Sequence, residues 1–525
     1  MAAESRTQKS LLNAKVNTAC YFVALAVAFF TRKVFIDRLG IDFVGLTGAL
    51  QSLLGFLNLA ELGVSTAIAY VLYKPLFDGD RSRINEIISV FGFLYRCIGF
   101  VILGAGVLLS AFLPLIFADT PFSLPVIYFG FYAFLAASLL GYFVNYKITL
   151  LAADQRNYVV TGYFQLTTSA KVLIQMALAL YFKNFILFFV IEILAGIANS
   201  IILNRKIAKT YPWLAAEVRL GRALFKKYPE IGKYIKQLFV HKIASFVQFQ
   251  ITPMLVYAYV SLPVVGIYGN YTLICDRVRS FISGILDSTT AGVGNLISEG
   301  NRDKIISFYR ELFSMRFCVA AIFTACIYVL ISPFVRLWLG DSLVLPDLVV
   351  ALVCLQFFLV VLRGTTDQFI NGYGLFYDIW APATETVLFI VSAMTFGSLW
   401  GLPGVLMGPI VSTIVIIHIW KPIFLYTKGF RLGVWRYALL FVRNLLAAAI
   451  AIAAAFALGR LIGSTLDSYG WHHSWFGWLF DAIVFTAIVT ILSLLTFSLL
   501  APGFTTFLRR FVNKRLKRCQ IQSRK

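Results

Sequence analysis

Charged side chains are scarce in this sequence. Only 13% of its 525 residues are Asp, Glu, Lys or Arg, whereas 60% are hydrophobic. Soluble globular domains carry about 25% charged residues, so this composition excludes a soluble chain. The mean hydropathy of +0.82 predicts an all-α polytopic membrane protein instead.

The residue types that usually build metal and disulfide sites are also few. The chain has four histidines and seven cysteines, and no two cysteines form a CxxC pair. We therefore expect no disulfide framework, no metal site and no cofactor. A Walker-type phosphate loop and a nucleophile constellation are missing too, which argues against direct use of ATP and against an enzyme.

Long apolar runs are abundant. A helix needs about 20 apolar residues to cross the hydrocarbon core of a bilayer. Fourteen stretches qualify and predict about fourteen transmembrane helices. They are residues 16–36, 43–73, 87–116, 123–152, 158–181, 184–204, 237–260, 263–294, 308–335, 347–370, 379–399, 402–420, 437–459 and 476–500.

The placement of Lys and Arg tests this count, because these residues accumulate in cytoplasmic loops. With both termini cytoplasmic, the predicted inner segments hold 31 basic residues and the outer segments hold 6. A miscounted helix in the middle of the chain would mix the two sets. The first apolar run shows no convincing cleavage site, so we expect it to stay attached. We interpret the basic tail, residues 509–525, as a lipid headgroup anchor rather than a nucleic-acid site.

An internal repeat organises the chain. Residues 42–84 align without gaps with residues 263–305 at an offset of 221, and four of the five glycines in the first window match. Both windows hold the second span of a six-span unit. We predict a six-helix bundle at 1–204, a basic interfacial linker helix at 205–236, a second six-helix bundle at 237–425, and helices 13 and 14 with the basic tail at 426–525.

The first repeat carries a resemblance to a known family. Residues 39–84 read LGIDFVGLTGALQSLLGFLNLAELGVSTAIAYVLYKPLFDGDRSRI, which resembles the start of Wzx-type polysaccharide or O-antigen repeat-unit flippases. That family shares the MOP superfamily with the MATE exporters and the lipid II flippase. The resemblance is strong over the first two spans and rests on topology elsewhere. It implies two six-helix bundles facing each other in a V, a bacterial inner-membrane location and a lipid-linked oligosaccharide substrate.

Nine basic residues fall inside the predicted spans. Lys147, Lys242 and Arg443 lie close enough to the inner boundary to snorkel, and Arg316 is intermediate. The five deeper residues are Arg96, Lys171, Arg277, Arg279 and Arg363. If all five faced lipid they would cost roughly 12 to 18 kcal/mol on insertion scales. We therefore expect these five and Arg316 to line a cationic cavity for an anionic substrate, although any one of them could instead brace two helices.

Two of these cations have a carboxylate at helical spacing. Asp276 and Arg279 are three residues apart and Arg363 and Asp367 are four apart, so each pair can meet on one helix face. Arg277 has no carboxylate at either spacing within its own span. We interpret it as a spare cation for a pyrophosphate head, because the guanidinium fork suits phosphate.

Glu61 lies near the middle of the second predicted span. A lone carboxylate there could carry a proton, and Asp276 and Asp367 are further candidates for ion coupling. The structural alternative is equally favoured: Glu61 could bond the backbone or a hydroxyl such as that of Ser65 at a bend in the span.

These features predict a flippase that moves an undecaprenyl-pyrophosphate-linked oligosaccharide repeat unit to the outer leaflet by alternating access. Membrane lipid, polysaccharide polymerase and chain-length proteins are its candidate partners. A MATE-like antiporter is one alternative, but nine basic residues against eight acidic ones in or near the spans disfavour a cavity for cations. A membrane-embedded polymerase or ligase is another. Such enzymes use sizeable outer loops, whereas the longest outer segment, with His472 and His473, resembles an aromatic interfacial anchor.

Overall fold

The computed structural model of the chain describes residues 6–61, 63–154, 156–289, 293–294, 296–297, 299–375, 378, 380–466 and 474–510. These residues form helices and their connections, with no β-strand among them, which confirms the all-α fold class. The long helices are α1 (Arg6–Leu39), α2 (Ile41–Leu57), α3 (Val64–Asp78), α4 (Arg81–Ser110), α5 (Leu124–Phe143), α6 (Asn157–Phe182), α7 (Phe185–Thr210), α8 (Pro229–Tyr259), α9 (Leu262–Leu286), α10 (Arg302–Leu339), α11 (Asp347–Tyr373), α12 (Trp380–Trp400), α13 (Leu402–Gly429), α14 (Trp435–Leu466) and α15 (Trp475–Leu500).

Short elements connect them. Single-turn or two-turn helices lie at Leu113–Ile116, Ile148–Ala153 and Gly221–Lys227, with 3-10 turns at Asn58–Glu61, Val218–Leu220, Asp287–Thr289 and Asp341–Leu343. Helix α13 becomes π-helical at Thr413–Trp420 and at Leu425–Gly429.

Within the described residues, each of the fourteen predicted spans overlaps at least one long helix, so the predicted number is approximately right. Ten of the described helices are long and apolar enough to cross a membrane, and α2 is a shorter apolar helix. The protein is therefore a multi-pass membrane protein. His472, His473 and the tail beyond Arg510 lie outside the described residues.

The chain packs as two compact units, Met1–Gly266 and Ile267–Lys525. The core of the first unit includes the fully buried side chains of Leu50 and Phe91, and that of the second includes Tyr309. Helix α8 packs against α2 and α3 of the first unit. The predicted domain ranges, with a second bundle that begins at 237, stay a prediction.

The basic segment at 205–236 is not one continuous helix. Its two ends belong to α7 and α8, and between them only Gly221–Lys227 is α-helical. The segment is docked on α4, where Asn85 Oδ1 accepts from the backbone N–H of Ala215 at 3.0 Å and Glu86 pairs with Lys227 at 2.7 Å. These side-chain contacts hold the backbone away from a regular helix.

The repeat extends to local backbone geometry. Gly79 and Gly300, 221 residues apart, both adopt left-handed φ angles, of 70° and 73°, a conformation that glycine tolerates best. Asp80 and Asn301 follow them and cap α4 and α10. Each side chain accepts from the backbone N–H three residues later, at 2.9 and 3.1 Å. The two sequence patterns DGDRSRI and EGNRDKI thus specify the same helix start.

Two matched glycines let helices approach closely within the first unit. A Cβ atom at Gly45 would overlap the carbonyl oxygen of Leu262, and one at Gly266 would lie 2.8 Å from the carbonyl oxygen of Ile41. The offset of 221 relates Gly45 to Gly266 and also Ile41 to Leu262. The contact is therefore reciprocal in the repeat, as small residues at membrane helix crossings allow.

The second predicted span, 43–73, is broken rather than continuous. Helix α2 ends at Leu57, the 3-10 turn Asn58–Glu61 follows, and α3 begins at Val64. Gly63 has φ 89°, which no continuous right-handed helix can accommodate. The span predicted at 263–294 is likewise not one continuous helix, because α9 stops at Leu286 and gives way to the 3-10 turn Asp287–Thr289.

Candidate functional site

Glu61 lies in the 3-10 turn between α2 and α3 and is held by three hydroxyls. Its Oε1 accepts from Ser65 Oγ at 2.8 Å and from the Tyr95 hydroxyl, and its Oε2 accepts from the Tyr142 hydroxyl at 2.9 Å. The Tyr142 hydroxyl also contacts Asn58 Oδ1 at 2.9 Å. The predicted contact with Ser65 is confirmed. Because α4 and α5 supply the tyrosines, the carboxylate ties the broken span to both helices.

Lys171 on α6 pairs with Glu192 on α7. Its Nζ lies 2.7 Å from Glu192 Oε1, and Gln175 Nε2 donates to Glu192 Oε2 at 3.3 Å. This pair neutralises one of the cations predicted for the cavity and links two helices of the first unit. Arg96 is on α4 in the same unit, and its side chain is exposed.

The predicted pair on α9 is confirmed: Arg279 Nη2 lies 2.9 Å from Asp276 Oδ1. Arg277 lies between these two residues in the sequence, and it is partly buried. The spacing of three residues brings the paired groups together on one face of the helix.

Arg316 on α10 is buried and locked in place. Its Nη2 lies 2.7 Å from Asp287 Oδ1 in the 3-10 turn after α9, and its Nη1 donates to the carbonyl oxygen of Val361 at 3.2 Å. The guanidinium lies where a Cβ at Gly364 would overlap it. Gln368 Nε2 adds a contact of 3.1 Å to Asp287 Oδ1. A glycine on α11 thus makes room for a buried cation.

Arg363 and Asp367 on α11 form the second confirmed pair, with Arg363 Nε 2.6 Å from Asp367 Oδ2. Lys421 on α13 joins it, with Nζ 2.9 Å from Asp367 Oδ1. Glu385 on α12 is almost fully buried, and its Oε1 lies 3.9 Å from Arg363 Nη1. We call these four residues the α11 charge cluster.

The six predicted cavity cations therefore fall into different settings. Arg96 and Lys171 belong to the first unit and the other four to the second. Arg316 on α10 contacts α11 at Gly364. Arg363 is on α11 and pairs with Asp367 of the same helix. In the part of the chain that the structure describes, no three His, Cys, Asp or Glu side chains are grouped to hold a metal ion.

Sequence reasoning missed several members of these clusters. The apolar run that predicts a span at 402–420 stops one residue before Lys421, yet α13 continues through Lys421 to Gly429. Tyr95, Tyr142 and Gln368 carry no sequence signal that distinguishes them from ordinary core residues. The glycine directly after Arg363, at 364, was the one available signal of a close approach.

Solved structures match this fold. No protein-family model and no curated protein matches the sequence. The lipid II flippase MurJ in an inward closed conformation superposes with a TM-score of 0.62 at 12% identity, over 93% of this chain and 99% of that one. The chain has the fold of a MurJ-type flippase. An inward-facing MATE family transporter of the MOP superfamily gives 0.56 at 14% identity over 82% and 98% of the two chains, and a MATE in the bent conformation gives 0.51 at 14% identity over 84% and 100%.

Proposed function

We propose that this protein is a flippase of the MOP superfamily that moves an undecaprenyl-pyrophosphate-linked oligosaccharide repeat unit across the bacterial inner membrane by alternating access. The observation that carries the proposal is the MurJ fold, which extends over 93% of the chain. The two MATE structures also match but cover 82% and 84% of the chain. The resemblance of residues 39–84 to Wzx-type flippases supports a lipid-linked polysaccharide repeat unit as the substrate, rather than lipid II.

The charges inside the second unit support an anionic headgroup. Arg279 and Arg363 are about a quarter exposed at 25% and 28%, whereas Arg316 is buried at 4%. We assign the headgroup contact to Arg277, Arg279 and Arg363, because an accessible guanidinium can present its bidentate fork to phosphate. Arg316, locked by Asp287 and Val361, holds helices together instead.

In the first unit, Arg96 is exposed on α4 and keeps its proposed place along the substrate path. Lys171 is engaged by Glu192, so we assign it to the brace between α6 and α7. Contact with an anionic substrate or with a carboxylate on another helix offsets the desolvation cost of a cation inside a membrane helix.

Ion coupling is a second part of the proposal, with Glu61, Asp276 and Asp367 as its candidate residues. Each carboxylate lies within a helix or a helix break and has a hydroxyl or cation partner. Transport that persists after both the proton and the sodium gradients are collapsed would remove this part and leave the flippase intact.

The deciding experiment is deletion of the gene in its own cell, followed by mass spectrometry of the lipid-linked glycans. Their sidedness is read by glycosidase or lectin access. We expect complete single repeat units trapped on the cytoplasmic face. Single units on the outer face would point to a polymerase or ligase, and an unchanged lipid pool would point to small-molecule export.

A further inference from the structure

The α11 charge cluster balances its own formal charge. Its two cations are Arg363 and Lys421, and its two carboxylates are Asp367 and Glu385. Both oxygens of Asp367 are occupied, Oδ2 by Arg363 Nε at 2.6 Å and Oδ1 by Lys421 Nζ at 2.9 Å. Because a guanidinium and an ammonium group already contact this carboxylate, a metal cation could bind there only by displacing one of them.

The two cations retain hydrogen-bonding capacity beyond these contacts. A guanidinium has five N–H donors and an ammonium three, and Asp367 takes one from each. The side chains of Arg363 and Asp367 are 28% and 25% exposed, while that of Glu385 is 3% exposed. The cluster is therefore enclosed at Glu385 and partly accessible at Arg363, at Asp367 and, with 16% of its side chain exposed, at Lys421.

The π-helical stretch Thr413–Trp420 leads directly into Lys421. Within it, His418 Nε2 lies 3.0 Å from the carbonyl oxygen of Leu359, one turn before Arg363 on α11. Tyr437 on α14 donates its hydroxyl to the carbonyl oxygen of His418 at 2.9 Å. Wide turns of this kind recur at functional sites, and here one holds an ammonium group beside a carboxylate of the neighbouring helix.

We propose that Asp367 and Glu385 are built-in counter-ions that a pyrophosphate headgroup displaces when it binds Arg363 and Lys421. This rests on the proposed function, since it takes the pyrophosphate-linked lipid as the anion. Removing an anion from a partly buried cation without replacement is strongly unfavourable, whereas exchange for the headgroup keeps both cations paired and leaves the displaced Asp367, 25% exposed, on the accessible side of the cluster. When the headgroup leaves, the carboxylates return to the cations.

The direction in which anion affinity changes when Asp367 is neutralised distinguishes the exchange from a cation-coupling site. If Asp367 competes with the headgroup, its neutralisation strengthens anion binding. If Asp367 binds a coupling ion or merely positions Arg363, its neutralisation weakens anion binding or leaves it unchanged. The two readings of the same carboxylate therefore predict opposite results in one titration.

The test measures binding of farnesyl pyrophosphate to the purified full-length protein in detergent by isothermal titration calorimetry. We expect Asp367→Asn and Glu385→Gln to tighten binding at least about fivefold, and Lys421→Met to weaken it by a similar factor, the scale of ordinary coupling between sites. Asp341→Asn is the matched control. This variant also neutralises a carboxylate that pairs with an arginine, since Asp341 Oδ1 lies 2.5 Å from Arg336 Nε in an exposed pair. It should leave the dissociation constant for farnesyl pyrophosphate unchanged.

Two further measurements keep the result interpretable. Gel filtration and the thermal midpoint without ligand establish whether each variant is folded. If Asp367→Asn does not fold, Glu385→Gln carries the test, because the contact of Glu385 with Arg363 is looser, at 3.9 Å. Phosphatidylglycerol is titrated in parallel. Binding as strong as that of farnesyl pyrophosphate would overturn the pyrophosphate assignment and identify a resident phospholipid headgroup.

Weaker binding in Asp367→Asn, or no change in any cluster variant, would overturn the exchange. The proposed function fails independently, in the deletion experiment. Trapped glycans together with unchanged binding would leave the flippase and refute the exchange. The predicted order of affinities with an unaffected glycan pool would leave the exchange and refute the glycan substrate.

Discussion

Tyr95 and Arg316 are 221 residues apart, the offset that relates the two aligned windows, and each binds a carboxylate in a 3-10 turn. The Tyr95 hydroxyl donates to Glu61, and Arg316 Nη2 lies 2.7 Å from Asp287. Each donor is on the helix that begins at a capped glycine turn, α4 or α10. In both repeats a helix, α2 or α9, thus breaks or ends at a carboxylate that a later helix, α4 or α10, holds.

Replacing Tyr95 with Phe should destabilise the first unit, because it removes a donor from a partly buried carboxylate. We expect a loss of about 1.5 to 3 kcal/mol in the free energy of unfolding, the usual range for a hydrogen bond to a charged group. Detergent-titrated unfolding followed by circular dichroism measures it. Tyr132→Phe is the control: its hydroxyl bonds Ser110 at 2.8 Å and its side chain is 41% exposed. Equal losses in the two variants would contradict a special role for Glu61.

Gly45→Ala should weaken the contact between α2 and the start of α9. The new methyl group would meet the backbone carbonyl of Leu262, which cannot rotate away. Overpacking of this kind costs about 1 to 3 kcal/mol, measured by the same unfolding titration. Gly48→Ala in the same helix is the matched control, since its Cβ would lie 3.8 Å from Val265 Cγ1 at ordinary contact distance. A tolerated Gly45→Ala would show that the helices separate without cost.

Gly364→Ala should expel the Arg316 guanidinium from its place against α11, with a cost of about 1 to 3 kcal/mol. Gly104→Ala, where nothing lies within 4 Å, should change stability by no more than about 1 kcal/mol, in the stabilising direction. The double variant Gly364→Ala with Arg316→Ala tests the mechanism. Its loss should be smaller than the sum of the single losses, because both changes remove one interaction. Simple additivity would mean that Gly364 acts elsewhere.

Arg277→Ala and Arg363→Ala should each abolish glycan export while the protein remains folded and inserted, because each removes a proposed headgroup contact. Cell-surface polysaccharide is quantified by immunoblot, and protein level by membrane fractionation. Arg336→Ala is the control for loss of an arginine: it removes the partner of Asp341 at an exposed pair. Normal export from both test variants would show that the headgroup assignment is wrong.

Local sequence patterns accounted for most of the helices. The apolar runs correspond to helices because a segment of about 20 apolar residues can cross the hydrocarbon core only with its backbone hydrogen bonds made internally. The pairs Asp276–Arg279 and Arg363–Asp367 formed as predicted because both partners are on one helix, where spacing sets their separation. The cap geometry at Gly79 and Gly300 also follows from its own short segment.

Pairing between helices could not be predicted in the same way. Lys171 meets Glu192, Arg316 meets Asp287 and Lys421 meets Asp367 across separations of 21, 29 and 54 residues. Which faces of two helices meet depends on their crossing and rotation, which no single-helix period encodes. The bend near Glu61 followed from the sequence only as one of two alternatives for a related reason: glycine is common in membrane helices, and only the structure shows that Gly63 turns left-handed.

The sequence by itself determined the membrane class, the helices and the internal repeat, because hydrophobicity, caps and glycines act over a few residues. Only the tertiary structure decided which buried cations are neutralised. It paired Lys171 with Glu192 and Arg316 with Asp287, and it placed Lys421 beside Asp367. Whether a charge inside a membrane protein is neutralised depends on its nearest opposite charge, and in these pairs another helix or turn supplies that partner.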